Sequence, residues 1–312
     1  MKVFLAGGSG VIGRRLVPQL VGAGHQVTAT TRTPEKAQQL RSLGATPAVL
    51  DALDGEAVTA AIRAAAPEVV MNQLTRLPQR YNPRRLRPWF TATSRLRVDG
   101  TRHLLAAARE VGARRFVFQS VAFMYALSGP AVVVEDAPMA TDAPDPYGPV
   151  FRSTLKGERM AVEADGIEGV VLRYGQLYGP GTYFAPDGDF ARQARLRLMP
   201  IVGGGGGVFS FLHVDDAALA AVCAMTHGRG VYNVVDDDPA PGRDWIPVFA
   251  HAVGAPAPVR VPRLMIRLIA GSWATATLTD SRGASNARAK QELDWRPRHP
   301  SWREGFFARD PE

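Results

Sequence analysis

Cysteine is nearly absent: Cys223 is the only one in 312 residues. That excludes a disulfide framework and a cysteine-rich metal centre, and its place in the apolar helical pattern VDDAALAAVCAM gives it a packing role. Lysine is scarce, 4 residues against 33 arginines, so the formal charge of +8 rests almost wholly on guanidinium groups. No apolar run approaches the roughly 18 residues that mark a membrane-spanning helix. No charged, apolar, small-residue leader opens the chain either. A soluble, cytoplasmic protein with no membrane partner is expected. Low-complexity tracts and internal repeats are missing. So are a helix-turn-helix, an RNA-binding signature and an aromatic stripe among the basic residues, so the charge does not read as a nucleic-acid surface. Acids are absent between Arg76 and Arg97, where seven arginines lie; that segment reads either as an anion-facing lid or as a solvated loop. No metal is expected: His213, Asp215 and Asp216 read as the N-cap and first turn of a helix, and the other histidines offer no ligand spacing.

What the chain does have is concentrated at its start. MKVFLAGGSGVIG is a short apolar strand running into glycines and then into the helical pattern VIGRRLVPQLVGAG. The glycines read as Gly7-x-x-Gly10-x-x-Gly13 or as Gly8-x-Gly10-x-x-Gly13. One serves a tight turn, one leaves room for a phosphate, and one lets helix and strand pack closely; the helix N-terminus favours the anion. The segment Gly7, Gly8, Ser9, Gly10, Val11, Ile12 and Gly13 is therefore expected to cradle a dinucleotide pyrophosphate.

Strand and helix patterns alternate through the first half, which argues a parallel sheet covered on both faces. Strands are expected at 2–6, 26–31, 46–50, 68–72, 115–119 and 169–173, with helices near 10–23, 34–43, 55–65, 94–112 and 149–164. The fold class is α/β, a doubly wound Rossmann sheet with a smaller C-terminal substrate-binding lobe. Residues 1–173 and 209–236 are assigned to the dinucleotide-binding domain, and 174–208 with 237–312 to the lobe. Ligands in such sheets lie beyond the carboxyl ends of the strands. The second strand ends in VTATTRTPEKA, with Arg32 and no acid before Glu35. An acid there would hold the ribose hydroxyls of NAD, whereas an arginine accommodates the 2′-phosphate of NADP, so NADP(H) is the expected cofactor. Asp51 and Ala52, closing the third strand, are placed at the adenine. Leu74 and Thr75 should lie along the ribose and nicotinamide, with Tyr174, Gln176 and Leu177 near the nicotinamide and Tyr183 and Phe184 on the substrate side.

With these residues in place, the whole chain resembles the extended short-chain dehydrogenase/reductase family, the NAD-dependent epimerase/dehydratase group. AGGSGVIG, VLDALD, VDGTRHLLAAAREVGARRFVFQS, LRYGQLYGPG and FSFLHVDDAALA are similar to its signatures in order and spacing. In that family a tyrosine exchanges the proton of the reacting alcohol or carbonyl, a lysine four residues later lowers its pKa and holds the ribose, and a serine or threonine fixes the oxygen. This chain departs from the triad. Four residues after Tyr147 stands Phe151, and Lys156 is nine residues on, out of helical phase. Pro149 suggests a helix beginning after Tyr147. Counting from Glu158 as the family's helix glutamate puts Val150 and Thr154 in the tyrosine and lysine positions. In QSVAFMYA, Ser120 matches the first serine of the family stretch and Val121 the catalytic one; Arg97 stands where a helix-four asparagine is common. Tyr147, Ser120 and Lys156 are the candidate catalytic residues, with Tyr125 an alternative proton donor. The resemblance implies an NADP(H)-dependent oxidoreductase acting on a small, largely apolar carbonyl, alcohol or activated alkene. The alternatives are an epimerase or dehydratase, or an NADP-binding sensor. A homodimer through the fourth and fifth helices is also implied.

Overall fold

The computed structural model describes residues 1–78, 80–82 and 85–307. Gln79, Pro83 and Arg84 of the arginine-rich segment lie outside the described residues. Seven strands form one parallel sheet: β1 (Lys2–Ala6), β2 (Gln26–Thr31), β3 (Thr46–Val49), β4 (Val69–Asn72), β5 (Arg115–Val121), β6 (Glu168–Tyr174) and β7 (Gly230–Val234). Their spatial order is β7–β6–β5–β4–β1–β2–β3. Register is set by near-continuous apolar runs, with Val3 opposite Val69 and Leu5 opposite Met71 on one side and Phe118 opposite Val171 further out. Such runs are the mark of strands buried on both faces. β7 joins the sheet beside β6 as a strand additional to the six expected.

Helices α1 (Val11–Gly22), α2 (Glu35–Ser42), α3 (Gly55–Ala65), α4 (Leu86–Arg95), α5 (Thr101–Glu110), α6 (Tyr147–Val162), α7 (Asp189–Arg195), α8 (Val214–Cys223), α9 (Gly242–Ala252) and α10 (Arg263–Asp280) follow in chain order. On one face Ile12, Leu16, Val17 and Leu20 of α1 pack with the alanines of α8. On the other, Val58 and Ile62 of α3 and Leu104, Leu105 and Ala108 of α5 close over Phe4, Val70, Phe116 and Phe118. A third core of Phe184, Phe211, Trp245, Phe249, Trp302 and Phe306 lies under the later segments.

Two expectations are corrected here. The arginine-rich stretch is not a solvated loop throughout: α4 occupies residues 86–95 and runs through a π-helical segment, Leu96–Gly100, into α5. The single helix expected at 94–112 is therefore the latter part of a longer helical path. Helix α6 begins at Tyr147 and not after it. Pro149 is its third residue, where an intrahelical N–H bond is not yet required.

Candidate active site

The sheet order reverses between β1 and β4, so a crevice opens beyond their carboxyl ends. There the glycines do what their spacing requires. Gly7 has φ +95°, and a Cβ on it would lie 2.8 Å from the Gln73 carbonyl oxygen. A Cβ on Gly8 would lie 2.6 Å from that of Ala29, and one on Gly13 would run into the Gly7 and Gly8 carbonyls. Gly10 caps α1 with no side-chain bond, leaving the first-turn N–H groups of Val11, Ile12 and Gly13 without intrahelical acceptors. The loop is pinned from outside: Gly7 N–H donates to Thr30 Oγ1 (3.0 Å) and Ser9 Oγ to Thr31 Oγ1 (3.0 Å). This bare, positively polarised cradle fits a pyrophosphate.

Arg32 stands exposed just past β2, and among the described residues it has no hydrogen-bond or ion-pair partner. Asp51 is exposed at the end of β3 and accepts only from Leu53 N–H at 3.0 Å, while Ala52 is buried beneath it, its carbonyl bonded to His103 Nδ1. At the end of β4, Asn72 Oδ1 holds the Leu74 N–H (3.1 Å), and Leu74 and Thr75 are half-buried. Gln73, missed by the sequence reading, is buried beside the cradle, its carbonyl against Gly7 and its side chain toward the Tyr174 phenol. Gln176 and Leu177 are half-buried. Tyr174 is sealed, its phenol donating to the Ala217 carbonyl at 3.2 Å, so it faces α8.

The catalytic candidates separate. Val150 (8% exposed) and Thr154 (1%) occupy the buried face of α6, and the Thr154 hydroxyl turns back to the Val150 carbonyl at 2.7 Å. Lys156 points to solvent. Ser120 is fully buried and donates to the Glu158 carboxylate. Glu158 also takes both prongs of Arg173, Nε at 3.0 Å and Nη2 at 2.6 Å. Arg173 Nη1 then reaches Tyr125 Oη at 3.1 Å and the Glu135 carbonyl at 2.8 Å, and Tyr125 donates to Asn233 Oδ1 at 2.7 Å. Ser120 and Tyr125 are thus committed to a closed network that joins β5, α6, β6 and β7. Burial raises the Tyr125 phenol above its ordinary pKa.

Tyr147 is different. It is half-buried, its hydroxyl has no partner among the described residues, and burial raises its pKa. Its ring meets Phe90 of α4 (5.7 Å between centroids), Phe151 (6.5 Å) and Trp273 of α10 (6.3 Å). Trp273 comes two residues after a break in α10 at Gly271, whose φ of +87° is open to glycine but strained for other residues. The Tyr81 phenol, pushed up to about 12 by burial, feels both Tyr147 and Tyr183. The Tyr183 hydroxyl donates to the Pro78 carbonyl, while Phe184 belongs to the third core. Phe90, Tyr147, Phe151 and Trp273 thus form one half-buried aromatic cluster across α4, α6 and α10. Arg97, whose carbonyl packs against Gly157 of α6, feels the Glu158 charge. It is 5% exposed, Nε and Nη1 have no partner, and burial lowers its pKa to about 10.

Nearer the tail, His213 caps α8 by accepting Asp215 N–H at Nδ1 (3.3 Å) and stacks on His299 at 3.7 Å. Asp216 is fully buried and accepts Arg298 N–H (2.8 Å) and His299 N–H (2.9 Å). This cluster secures the chain's last segment to α8. Among the described residues no helix is long and apolar enough to cross a membrane.

Residues 3–235 match the model of the NAD dependent epimerase/dehydratase family. The chain is 46% identical over 309 residues to the 3-diazoavenalumate denitrifying reductase of a Streptomyces species, covering 98% of this chain and 99% of that protein. It is 28% identical to the 2-alkyl-3-oxoalkanoate reductase of Stenotrophomonas maltophilia, over 82% and 77% of the two chains. Among solved structures, UDP-glucose 4-epimerase of Thermotoga maritima shares the fold with a TM-score of 0.75 and 22% identity, over 98% of this chain and 96% of that one. The human epimerase family protein SDR39U1, solved with NADPH, superposes with a TM-score of 0.74 at 20% identity, over 98% of both chains. From its glycine cradle to its seventh strand, this chain belongs to the NAD-dependent epimerase/dehydratase family.

Proposed function

We propose that the chain is an NADP(H)-dependent reductase for a substrate whose reduction needs no proton from the enzyme, an aromatic diazo compound being the best fit. One observation carries this reading: on the buried face of α6, where the family's proton-transfer pair belongs, stand Val150 and Thr154, neither able to donate a proton at neutral pH. Ser120 and Tyr125 are tied up elsewhere. Reducing a ketone to an alcohol requires a proton as well as a hydride. Reducing an aryl diazonium does not: a hydride forms the new C–H bond, the C–N bond breaks, and its electron pair leaves with N₂. The name of the 46% identical relative describes such a loss of nitrogen.

When bound, the dihydronicotinamide supplies the hydride, and the protein supplies position and electrostatics. Gly7 to Gly13 would hold the pyrophosphate, Arg32 the 2′-phosphate, Asp51 the adenine, and Leu74, Thr75, Gln176 and Leu177 the nicotinamide half. Phe90, Tyr147, Phe151 and Trp273 would wall the substrate and exclude water. Residues 174–208 and 237–312 form the substrate lobe in this reading.

A second reading is supported by the Tyr147 hydroxyl, which has no partner among the described residues and would protonate a carbonyl oxygen; the Stenotrophomonas relative is named for an oxoalkanoate. The two part on a single experiment: protein, C4-deuterated NADPH and 4-carboxybenzenediazonium, with N₂ and deuterated benzoate measured against an enzyme-free control. The diazo reading expects one N₂ per NADPH consumed, deuterium at the ring carbon, and turnover little changed by Tyr147→Phe. Reduction of a 2-alkyl-3-oxoalkanoate that disappears in Tyr147→Phe, with no diazonium turnover, would establish the second reading instead.

A further inference from the structure

The buried charge of this site does not balance at Arg97. Of the other buried arginines, Arg115 spends its donors on Glu168 and on the carbonyls of Ala224 and Gly228, and Arg173 on Glu158 and the Glu135 carbonyl, whereas Arg282, far along the chain, also leaves Nε and Nη2 without a partner. Arg97 is buried as deeply, yet Nε and Nη1 reach nothing. The acid whose charge it feels is Glu158, whose oxygens already serve Ser120 and Arg173. Two guanidinium nitrogens buried without an acceptor, Nη2 alone keeping some exposure, carry a desolvation cost, and that cost is offset when a ligand brings the acceptor.

The helices say where that ligand sits. Phe90, Ser94 and Arg97 follow one another at four and three residues along the α4 path, on one face. They meet α6 in step: Phe90 against Tyr147, Ser94 Oγ against Ser153 Oγ at 2.8 Å, and the Arg97 carbonyl against Gly157, where a Cβ would lie 2.8 Å from it. The two helices therefore run parallel, with Arg97 further along their seam than the Phe90–Tyr147 contact. Long helical side chains lean toward the N-terminal end of their own helix, which for Arg97 is the direction of Phe90 and Tyr147.

We infer that Arg97 grips an anionic oxygen of the substrate, a phenolate or a carboxylate, from the seam between α4 and α6 beside the aromatic cluster. This rests on the substrate lying among Phe90, Tyr147, Phe151 and Trp273, and it names that substrate's charge. In a ring bearing both an oxygen anion and a diazo group, the electron pair arriving with the hydride raises the charge on oxygen, so a fixed guanidinium there steadies the transition state more than the ground state.

The test involves no turnover. Protein saturated with NADP⁺ is titrated with 4-nitrophenolate, 4-nitrobenzoate and uncharged 4-nitrotoluene, in the natural protein, Arg97→Met and Arg97→Lys. One of the two anions is expected to bind at least about tenfold tighter than nitrotoluene, and which one identifies the oxygen as phenolate or carboxylate. If it is the phenolate, the apparent pKa of bound 4-nitrophenol should fall below that of the free dye. Arg97→Met should lose the preference and keep its affinity for nitrotoluene and NADP⁺. Its melting temperature should hold or rise, because an unpaired buried charge has been removed; Arg97→Lys should keep part of the preference. An anion preference that survives Arg97→Met overturns the inference, and so does a selective loss of NADP⁺ affinity or a steep fall in melting temperature. Absence of diazonium turnover would count against the proposed reaction while leaving these binding results intact.

Discussion

If Arg32 holds the 2′-phosphate as proposed, Arg32→Ala should separate NADP(H) from NAD(H). The side chain stands exposed past β2 with no protein partner to lose, so its removal disturbs the ligand and not the fold. A hydrogen bond to a charged group is worth about 1.5–3 kcal/mol, tenfold to hundredfold in affinity. Solvent and salt screen an exposed guanidinium toward the lower bound, and the neighbouring Thr33 hydroxyl remains as a neutral donor. Arg32→Ala should therefore weaken NADPH binding by about tenfold and leave NADH binding within about twofold. The difference should shrink as ionic strength rises past the point where the Debye length falls to a few ångströms. Fluorescence titration of both cofactors at low and high salt measures all of this. Equal losses for NADPH and NADH, or a tenfold loss that salt does not touch, would refute the reasoning.

Two further outcomes concern the framework. Glu158→Gln leaves the buried Arg173 without its counter-charge and is expected to cost about 3–5 kcal/mol; an unchanged urea midpoint would show that the network is not electrostatic. Asp236, buried beside Asp237 and Asp238 and bonded to Trp302 N–H at 3.0 Å, has its carboxyl pushed up to about 8 from 3.8, chiefly by burial. The folded protein therefore holds a proton that the unfolded chain has released, and stability should decline as pH rises from about 4 to 8. Asp236→Asn should flatten that decline, and an identical pH profile in the variant would rule out Asp236 as its source.

The sequence carried the cradle completely because its constraint is steric and local: a side chain at Gly8 or Gly13 collides within a few residues of chain or with the adjoining strand. The sheet was legible for the same kind of reason, since parallel strands buried on both faces announce themselves as apolar runs. Helix α4 was hidden by Pro88 and a surplus of arginines, which weaken the apolar periodicity that marks a helix. Glu158 gave the right phase for α6 even from sequence, whereas Pro149 misled by two residues. The commitment of Ser120 to Glu158, 38 positions away, and the isolation of Arg97 were not readable. Both are facts about partners and burial, which only the folded chain determines.

The securing of the tail by Asp216 and Asp236 sets an order on the making of this protein. β1, at the centre of the sheet, is synthesised long before residues 295–302. Yet Trp295 and Trp302 are fully buried, the first in the core shared by α1 and α8, and Asp216 and Asp236 reach their backbone partners only at residues 298, 299 and 302. The middle of the sheet must wait, with one face unfinished, until nearly three hundred further residues have been synthesised. During that interval the nascent chain depends on whatever shields its apolar strands, and a chain cut short before Trp295 lacks a buried tryptophan of the core that covers β1.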